Sequence, residues 1–312
     1  MNAVLRRIAR EAPPPLDGPE AASANTPDWL WSRWSATYGE AAAAAIGRAH
    51  LGEPPLDLTI RDDVRKWTDA LGADLLPTGS LRLRAAGPVT ALPGFDDGAW
   101  WVQDAAAAIP ARLFGDVRGR SAIDLCAAPG GKTAQLASAG AEVTAVDISP
   151  RRSAILRENL DRLRLAATIV VADANQWRPD SPADVVLVDA PCSATGTIRR
   201  HPDIPQLRAA ADLTRLVEVQ DRLLDAAVAM TRPGGTIVYA TCSLEPEEGP
   251  ARIDALRARG APVALDPIAA AELPGLPEAI VDGTLRTLPS MLADAGGMDG
   301  FFAARLRRLP GA

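Results

Sequence analysis

The chain is 312 residues long, has a net charge of −6 and is 47% hydrophobic. That length and apolar content suit two domains with a large core, the charge excludes a polycationic nucleic-acid binder, and no apolar run is long enough to span a membrane. Three cysteines, at 126, 192 and 242, make no disulfide scaffold, so a monomer in a reducing cytoplasm is expected.

The start, MNAVLRRIAR, is basic and amphipathic but lacks a cleavage site, so it is not read as a targeting signal. Residues 11–28, rich in Pro and Ala, read as a linker. Trp29 to His50 reads as one helix, whose Trp29, Trp31 and Trp34 suit core packing better than ligand binding. Pro54–Pro55 ends it. Leu56 to Ile60 alternates as a strand, Asp62 to Leu71 reads as a helix closed by Gly72, and Leu81 to Arg84 reads as another strand. Residues 27–95 thus form a small α/β domain. Ala91 to Gly98 is a turn, and Trp100 to Leu113 reads as a helix. From Ser121 strands and helices alternate, the mark of a parallel sheet covered on both faces. Strands are expected at 121–125, 142–147, 168–172, 184–189, 235–240 and 301–306, with helices near 131–139, 150–163, 214–230 and 246–259. Residues 96–312 form this larger α/β domain.

The stretch SAIDLCAAPGGK, Ser121 to Lys132, joins a buried strand to a helix start through a turn of small residues. Glycines there let the backbone approach a ligand, and the free N–H groups of a helix start face it. Asp147 and Asp173 follow the next two strands. A carboxylate after the second strand can accept ribose hydroxyls, and one after the third can take an adenine amino group. Each could instead cap the helix or turn that follows it. Asp189 and Cys192 follow the fourth strand, and Cys242 the fifth. Parallel sheets bind ligands beyond their carboxyl ends, so these residues should share one rim.

A lone cysteine is usually a small buried hydrophobe, but two at the ends of separate strands of one sheet are less easily dismissed. His50 and His201 are the only histidines and have no ligand spacing, so no metal site is expected. A thiolate nucleophile with a thiol partner remains, and spacing does not say which cysteine attacks. Two rivals compete. CAAPGGKT resembles a triphosphate-binding loop, but lacks its first Gly and carries a Pro that removes an N–H donor. A binding-only RNA module would leave the cofactor turn and Cys242 without purpose. The arginine pairs Arg151–Arg152 and Arg199–Arg200, and the trio Arg305, Arg307 and Arg308, suit either phosphate contact or a solvated surface.

DLCAAPGGKT, AVD, DAPCSATGTIRRHPDI, YATCSLEPEEG and DGFF together resemble the Sun-type (NOL/NOP/Sun) RNA cytosine C5-methyltransferases, most closely their bacterial small-subunit rRNA branch. The likeness runs from about residue 27 to 308. It implies a Rossmann-like S-adenosylmethionine-dependent methyltransferase with a seven-stranded, mostly parallel sheet behind a small α/β domain. It also implies an RNA substrate, small-subunit (16S) rRNA or, failing that, tRNA. Cys126, Ala127, Ala128, Pro129, Gly130, Gly131 and Lys132 would line the methionine end of the cofactor. Asp147 would take the ribose, Asp173 the adenine side, and Asp189 would sit beside both cofactor and cytosine. Cys242 would attack carbon 6 of cytosine and Cys192 would assist release. Close relatives carry an all-helical RNA-binding domain ahead of this region, and residues 1–26 resemble its end or a linker. Asp57 departs from a basic strand of the family, which places a negative charge near the expected RNA surface and leaves Arg61 as its cation.

Overall fold

The computed structural model describes residues 2–11, 20–84 and 87–310. Two sheets organise it. The smaller has the order β2–β3–β1–β4, with β1 at Leu56–Ile60, β2 at Asp74–Leu75, β3 at Leu81–Leu83 and β4 at Trp100–Val102, all antiparallel. The larger sheet has nine strands. β5 (Ser121–Leu125), β6 (Glu142–Asp147), β7 (Thr168–Val171), β8 (Ala183–Asp189) and β9 (Thr231–Thr241) are parallel. β10 (Val263–Leu265), β11 (Ile280–Val281), β12 (Thr284–Thr287) and β13 (Phe301–Arg308) add antiparallel pairings. The order along the path is β11–β12–β13–β9–β8–β5–β6–β7, with β10 beside β13.

Alternation along β8 shows why the sheet is buried on both faces. Val185 and Leu187 pack with Ile109, Leu136 and Val238 on one side. Val186 and Val188 pack with Leu223, Leu224, Ala227 and Tyr239 on the other. The helix Asp212–Met230 supplies most of that second cover. The helix Pro150–Leu163 starts where Ser149 accepts the N–H of Arg152 and Pro150 occupies the first turn, and it ends at Arg164 in the left-handed region.

Several expectations change. The sheet has nine strands rather than seven: the six read from the sequence are joined by β10 and the short hairpin β11–β12, whose brief apolar runs carry no alternation long enough to read. Trp29 to His50 is two helices, Asp28–Tyr38 and Glu40–Leu51, because Gly39 turns the chain at φ +85. The region 246–259 is a short 3-10 turn followed by a helix from Pro250 to Ala258, separated by Gly249. Of the expected linker, residues 12–19 lie outside the described residues. Ala21–Ala24 is helical and packed: a Cβ on Gly47 would sit 2.9 Å from the Ala22 Cβ.

Trp100 to Leu113 is not a helix. Trp100–Val102 pairs with β1, and only Ile109–Arg112 is helical. Successive residues face opposite ways: Trp100 fills the core of the small sheet, Trp101 packs with Ala134 and Leu156, and Val102 is exposed. Strand pairing outweighs the propensity of the alanine run, and β4 carries the small sheet past residue 95, where the sequence places its edge.

Asp57 is not on an RNA-facing surface. It is buried and holds Arg82 through two bonds of 2.6 Å, while also accepting the N–H of Ala105. Arg82 donates onward to Ala295 and Gly297 carbonyls, tying the small sheet to the chain just before β13. Arg61 donates to the Leu163 carbonyl. Removing one partner of so buried a pair strands a charge, so Asp57→Ala should lower the unfolding free energy by about 3–5 kcal/mol. Denaturant titration checks this, and a loss below about 1 kcal/mol would contradict the pairing.

Candidate active site

The carboxyl ends of β5, β6, β8 and β9 lie along one edge, because these strands pair in parallel and in register. The order reverses between β5 and β8, so a crevice opens there. The loop Cys126–Gly130 leaves β5 and feeds the helix Gly131–Ser138. Gly130 caps that helix at φ +105, with space for no Cβ beyond a 3.0 Å contact to Leu156. The loop is tied down from several sides. Asp147 accepts the N–H of Ala128 at 3.1 Å and of Ser149 at 2.9 Å, and Arg152 donates to the Ala128 carbonyl. Asn159 donates to the Pro129 carbonyl at 2.9 Å.

The loop spends its own N–H groups internally: Ala127 donates to Val146, Ala128 to Asp147 and Gly130 to Ala127. A phosphate cradle would aim several free ones at one point. Lys132 is buried and bonded to Asp189 at 2.7 Å. Burial works against its charge, but Asp189 and Asp124 outweigh it and raise its pKa.

Two cavities flank the loop. The smaller, of 130 Å³, is lined by Cys126, Asp147, Ile148, Asp173, Pro191 and Leu223 among others. Asp173 stands two residues past β7 and accepts the N–H of Asn175 at 2.9 Å, so it also pins its own turn. Ser149, not Asp147, caps the helix that follows. The larger cleft, of 520 Å³, brings Pro129, Lys132, Asp189, Arg200, Cys242 and Phe301 together. The site residues expected from the sequence divide between these two spaces, except Ala128 and Cys192, which line neither.

The cysteines separate by environment. Cys192 and Cys242 bring their sulfurs to 3.4 Å. Cys192 is buried, and its pKa is raised well above the usual thiol value by its hydrogen bond to Cys242, by burial, and by the charges of Cys242 and Glu248. Either sulfur can donate across this contact. Cys242 is partly exposed and reaches the cleft. Cys126 is pushed up to about 12, first by burial and then by Asp189, Asp147 and Asp124. It takes no part as a nucleophile.

Three features escaped the sequence reading. Asp124, in the middle of β5, is fully buried and bonded to Thr133 at 2.6 Å, with its pKa pushed up to about 7 by burial. Arg199 is no phosphate ligand: it is buried between Asp104 at 2.6 Å and Asp299 at 3.0 Å. Arg200 shares Asp299 but borders the cleft. Glu248 is fully buried and accepts bonds from Ser193 and Ser243, the residues after the two cysteines. Acidic and arginine residues in a loop read as surface, and only the three-dimensional pairing shows otherwise.

Comparison with known proteins gives the family of the chain. The family model for the 16S rRNA methyltransferases RsmB/F matches residues 115–307. Ribosomal RNA small subunit methyltransferase B of Cronobacter sakazakii is 37% identical over 98% of this chain and 72% of its own length. The protein of that name from Escherichia coli K12 is 38% identical, with the same shares. Among solved structures, a methyltransferase homologue from Pyrococcus horikoshii superposes with a TM-score of 0.73 at 25% identity, covering 89% of this chain and 94% of its own. NSun6 from the same organism gives 0.75 at 21% identity, over 91% and 99%, a likeness of fold. The chain thus belongs to the RsmB/F family of 16S rRNA methyltransferases.

Proposed function

We propose that the chain is an S-adenosylmethionine-dependent RNA cytosine C5-methyltransferase that acts on small-subunit rRNA through a covalent cysteine–cytosine adduct. The observation that carries the covalent step is the 3.4 Å approach of the buried Cys192 to Cys242, which itself lines the cleft together with Lys132 and Asp189. The names of the relatives support the substrate.

The residues fit the cofactor. The smaller cavity has apolar walls at Ile148, Pro191 and Leu223 for a flat base, and carboxylates at Asp147 and Asp173 for hydroxyl and amino donors. Each carboxylate keeps acceptor capacity beyond its bonds to backbone N–H groups. Asp147 would hold the ribose, Asp173 the adenine, and Cys126 to Lys132 the methionine end. When bound, S-adenosylmethionine supplies an electrophilic methyl group.

The protein's own groups do the rest. A cytosine unstacked from the RNA enters the larger cleft. Asp189 accepts a hydrogen bond from its exocyclic amine while Lys132 balances the charge. The Cys242 thiolate adds to carbon 6, and carbon 5 becomes an enamine-like nucleophile. After methylation, carbon 5 gives up its proton to water in the cleft, the carbon 5–carbon 6 double bond re-forms from that electron pair, and the carbon–sulfur bond breaks with its own pair returning to Cys242. The Cys192 S–H, aimed at Cys242, stabilises that leaving thiolate. The chain also lies in a cytoplasmic setting on this reading, as a monomer.

Bisulfite sequencing of rRNA from a deletion strain should show the loss of one 5-methylcytosine in small-subunit rRNA, restored by this chain. An unchanged rRNA map with a lost tRNA methylcytosine would move the substrate to tRNA. Calorimetry should show S-adenosylhomocysteine binding that Asp147→Ala weakens by at least about tenfold, since one charged hydrogen bond is worth about 1.5–3 kcal/mol. Wild-type affinity in that variant would remove Asp147 from the site. In a denaturing gel with substrate RNA and S-adenosylmethionine, Cys242→Ala should be inactive and free of adduct. Cys192→Ala should accumulate a denaturation-resistant protein–RNA complex. The reverse pattern would exchange the roles, and activity in both variants would end the covalent reading.

A further inference from the structure

The two cysteines sit on different loops, 50 positions apart in sequence, yet their sulfurs touch. Something must hold the loops in register. β8 and β9 end at Asp189 and Thr241, and neither cysteine is inside a strand. One side chain bridges the residues that follow them. Glu248 Oε1 accepts the Ser193 N–H at 2.9 Å and the Gln220 amide at 3.0 Å. Its Oε2 accepts the Ser193 and Ser243 hydroxyls, the latter at 2.6 Å. The Glu248 carbonyl in turn accepts the hydroxyls of Tyr239 and Thr241, so its backbone is fixed to β9.

We infer that Glu248 is a positioning residue that clasps the two cysteine loops together and sets the contact between Cys192 and Cys242 that release of the methylated base requires. The inference rests on the covalent reading given above. Other bonds hold these loops as well: Gly196 donates to the Cys242 carbonyl, Leu244 to the Thr195 hydroxyl, Arg286 to the Ser243 carbonyl and Gln220 to the Pro191 carbonyl. Glu248 is the group that holds the N–H of Ser193, next to Cys192. Loosening the clasp therefore disturbs the contact between the two sulfurs, which release needs, while Cys242 still reaches the cleft for attack. Attack survives and release slows. The Glu248 charge also helps to keep Cys192 a thiol, the form that can donate to its partner.

Glu248→Gln keeps the shape but turns an N–H2 group toward groups that only donate or already donate. With the full chain, S-adenosylmethionine and a transcript of unmethylated small-subunit rRNA, turnover should fall on the order of 10- to 100-fold. The KM for S-adenosylmethionine should stay within about twofold, because the cofactor loop is untouched. The denaturation-resistant RNA complex should accumulate, as is expected of Cys192→Ala. Wild-type turnover, or lost turnover without adduct, would overturn the inference. Should Glu248→Gln fail to fold, Ser193→Ala and Ser243→Ala each remove one donor to the same carboxylate. Both should accumulate some adduct, and its absence from both would overturn the inference. Cys192→Ala runs alongside: if it forms no adduct, the covalent-release reading fails and this inference with it. Adduct in Cys192→Ala but in none of the clasp variants sinks the clasp alone.

Discussion

The parallel pairing of β8 with β9 governs the cleft. Val186 to Asp189 lie opposite Ile237 to Ala240, so both strands end on the same edge, β8 three residues before Cys192 and β9 directly before Cys242. A slip of one residue would turn every side chain of a strand to the other face, trading its buried partners for the wrong layer. The interior on both sides of β8 therefore fixes the register, and the register fixes where Cys192 and Cys242 arrive. Stability and chemistry meet in one pairing.

Beyond the strand ends, close backbone approach takes over. Gly196 donates to the Cys242 carbonyl, and its own carbonyl accepts the Gly300 N–H at 2.8 Å. A Cβ on Gly196 would lie 1.9 Å from the Gly300 carbonyl oxygen, so only glycine fits there. The loop after Cys192, the loop after Cys242 and the start of β13 thus form one unit. The helices Asp28–Tyr38 and Glu40–Leu51 cover it. Leu30, Trp34 and Ile46 pack on Ile198 and Leu244, and Trp34 donates to Glu245 at 3.1 Å. Arg33 pairs with Glu245 and Glu247. The small N-terminal region is in this sense the outer wall of the cysteine loops. Of the tryptophans read as core formers, Trp34 forms a core with Trp29 packed against it, shared with the loops around the cleft, and Trp31 stays outside it.

The strands β5, β6, β8 and β9 were legible because buried parallel strands leave short β-branched runs, and the residues after them carry the chemistry. Asp147, Asp189, Cys192 and Cys242 could be placed on one rim from that pattern alone. What stayed hidden has a common cause. Trp100–Val102 pairs with a strand some 40 residues away in sequence, and local propensity carries no trace of it. Asp57 and Arg199 looked like surface charges, since nothing in a linear sequence shows that Asp57 meets Arg82 or that Arg199 lies between two carboxylates. The choice between attacking and releasing cysteine was likewise open to spacing and depends on burial: one sulfur is enclosed and the other reaches the cleft.

The central claim is that Cys242 forms the bond to cytosine while Cys192 stands beside it as a thiol. RNA carrying 5-fluorocytidine at the target position tests it directly, because fluorine replaces the proton that must leave carbon 5 and halts the reaction at the adduct. Proteolysis of the trapped wild-type complex followed by mass spectrometry should find the methylated nucleotide on the peptide that contains Cys242, with Cys192 unmodified. A nucleotide on Cys192, or no cross-linked peptide at all, would contradict the account.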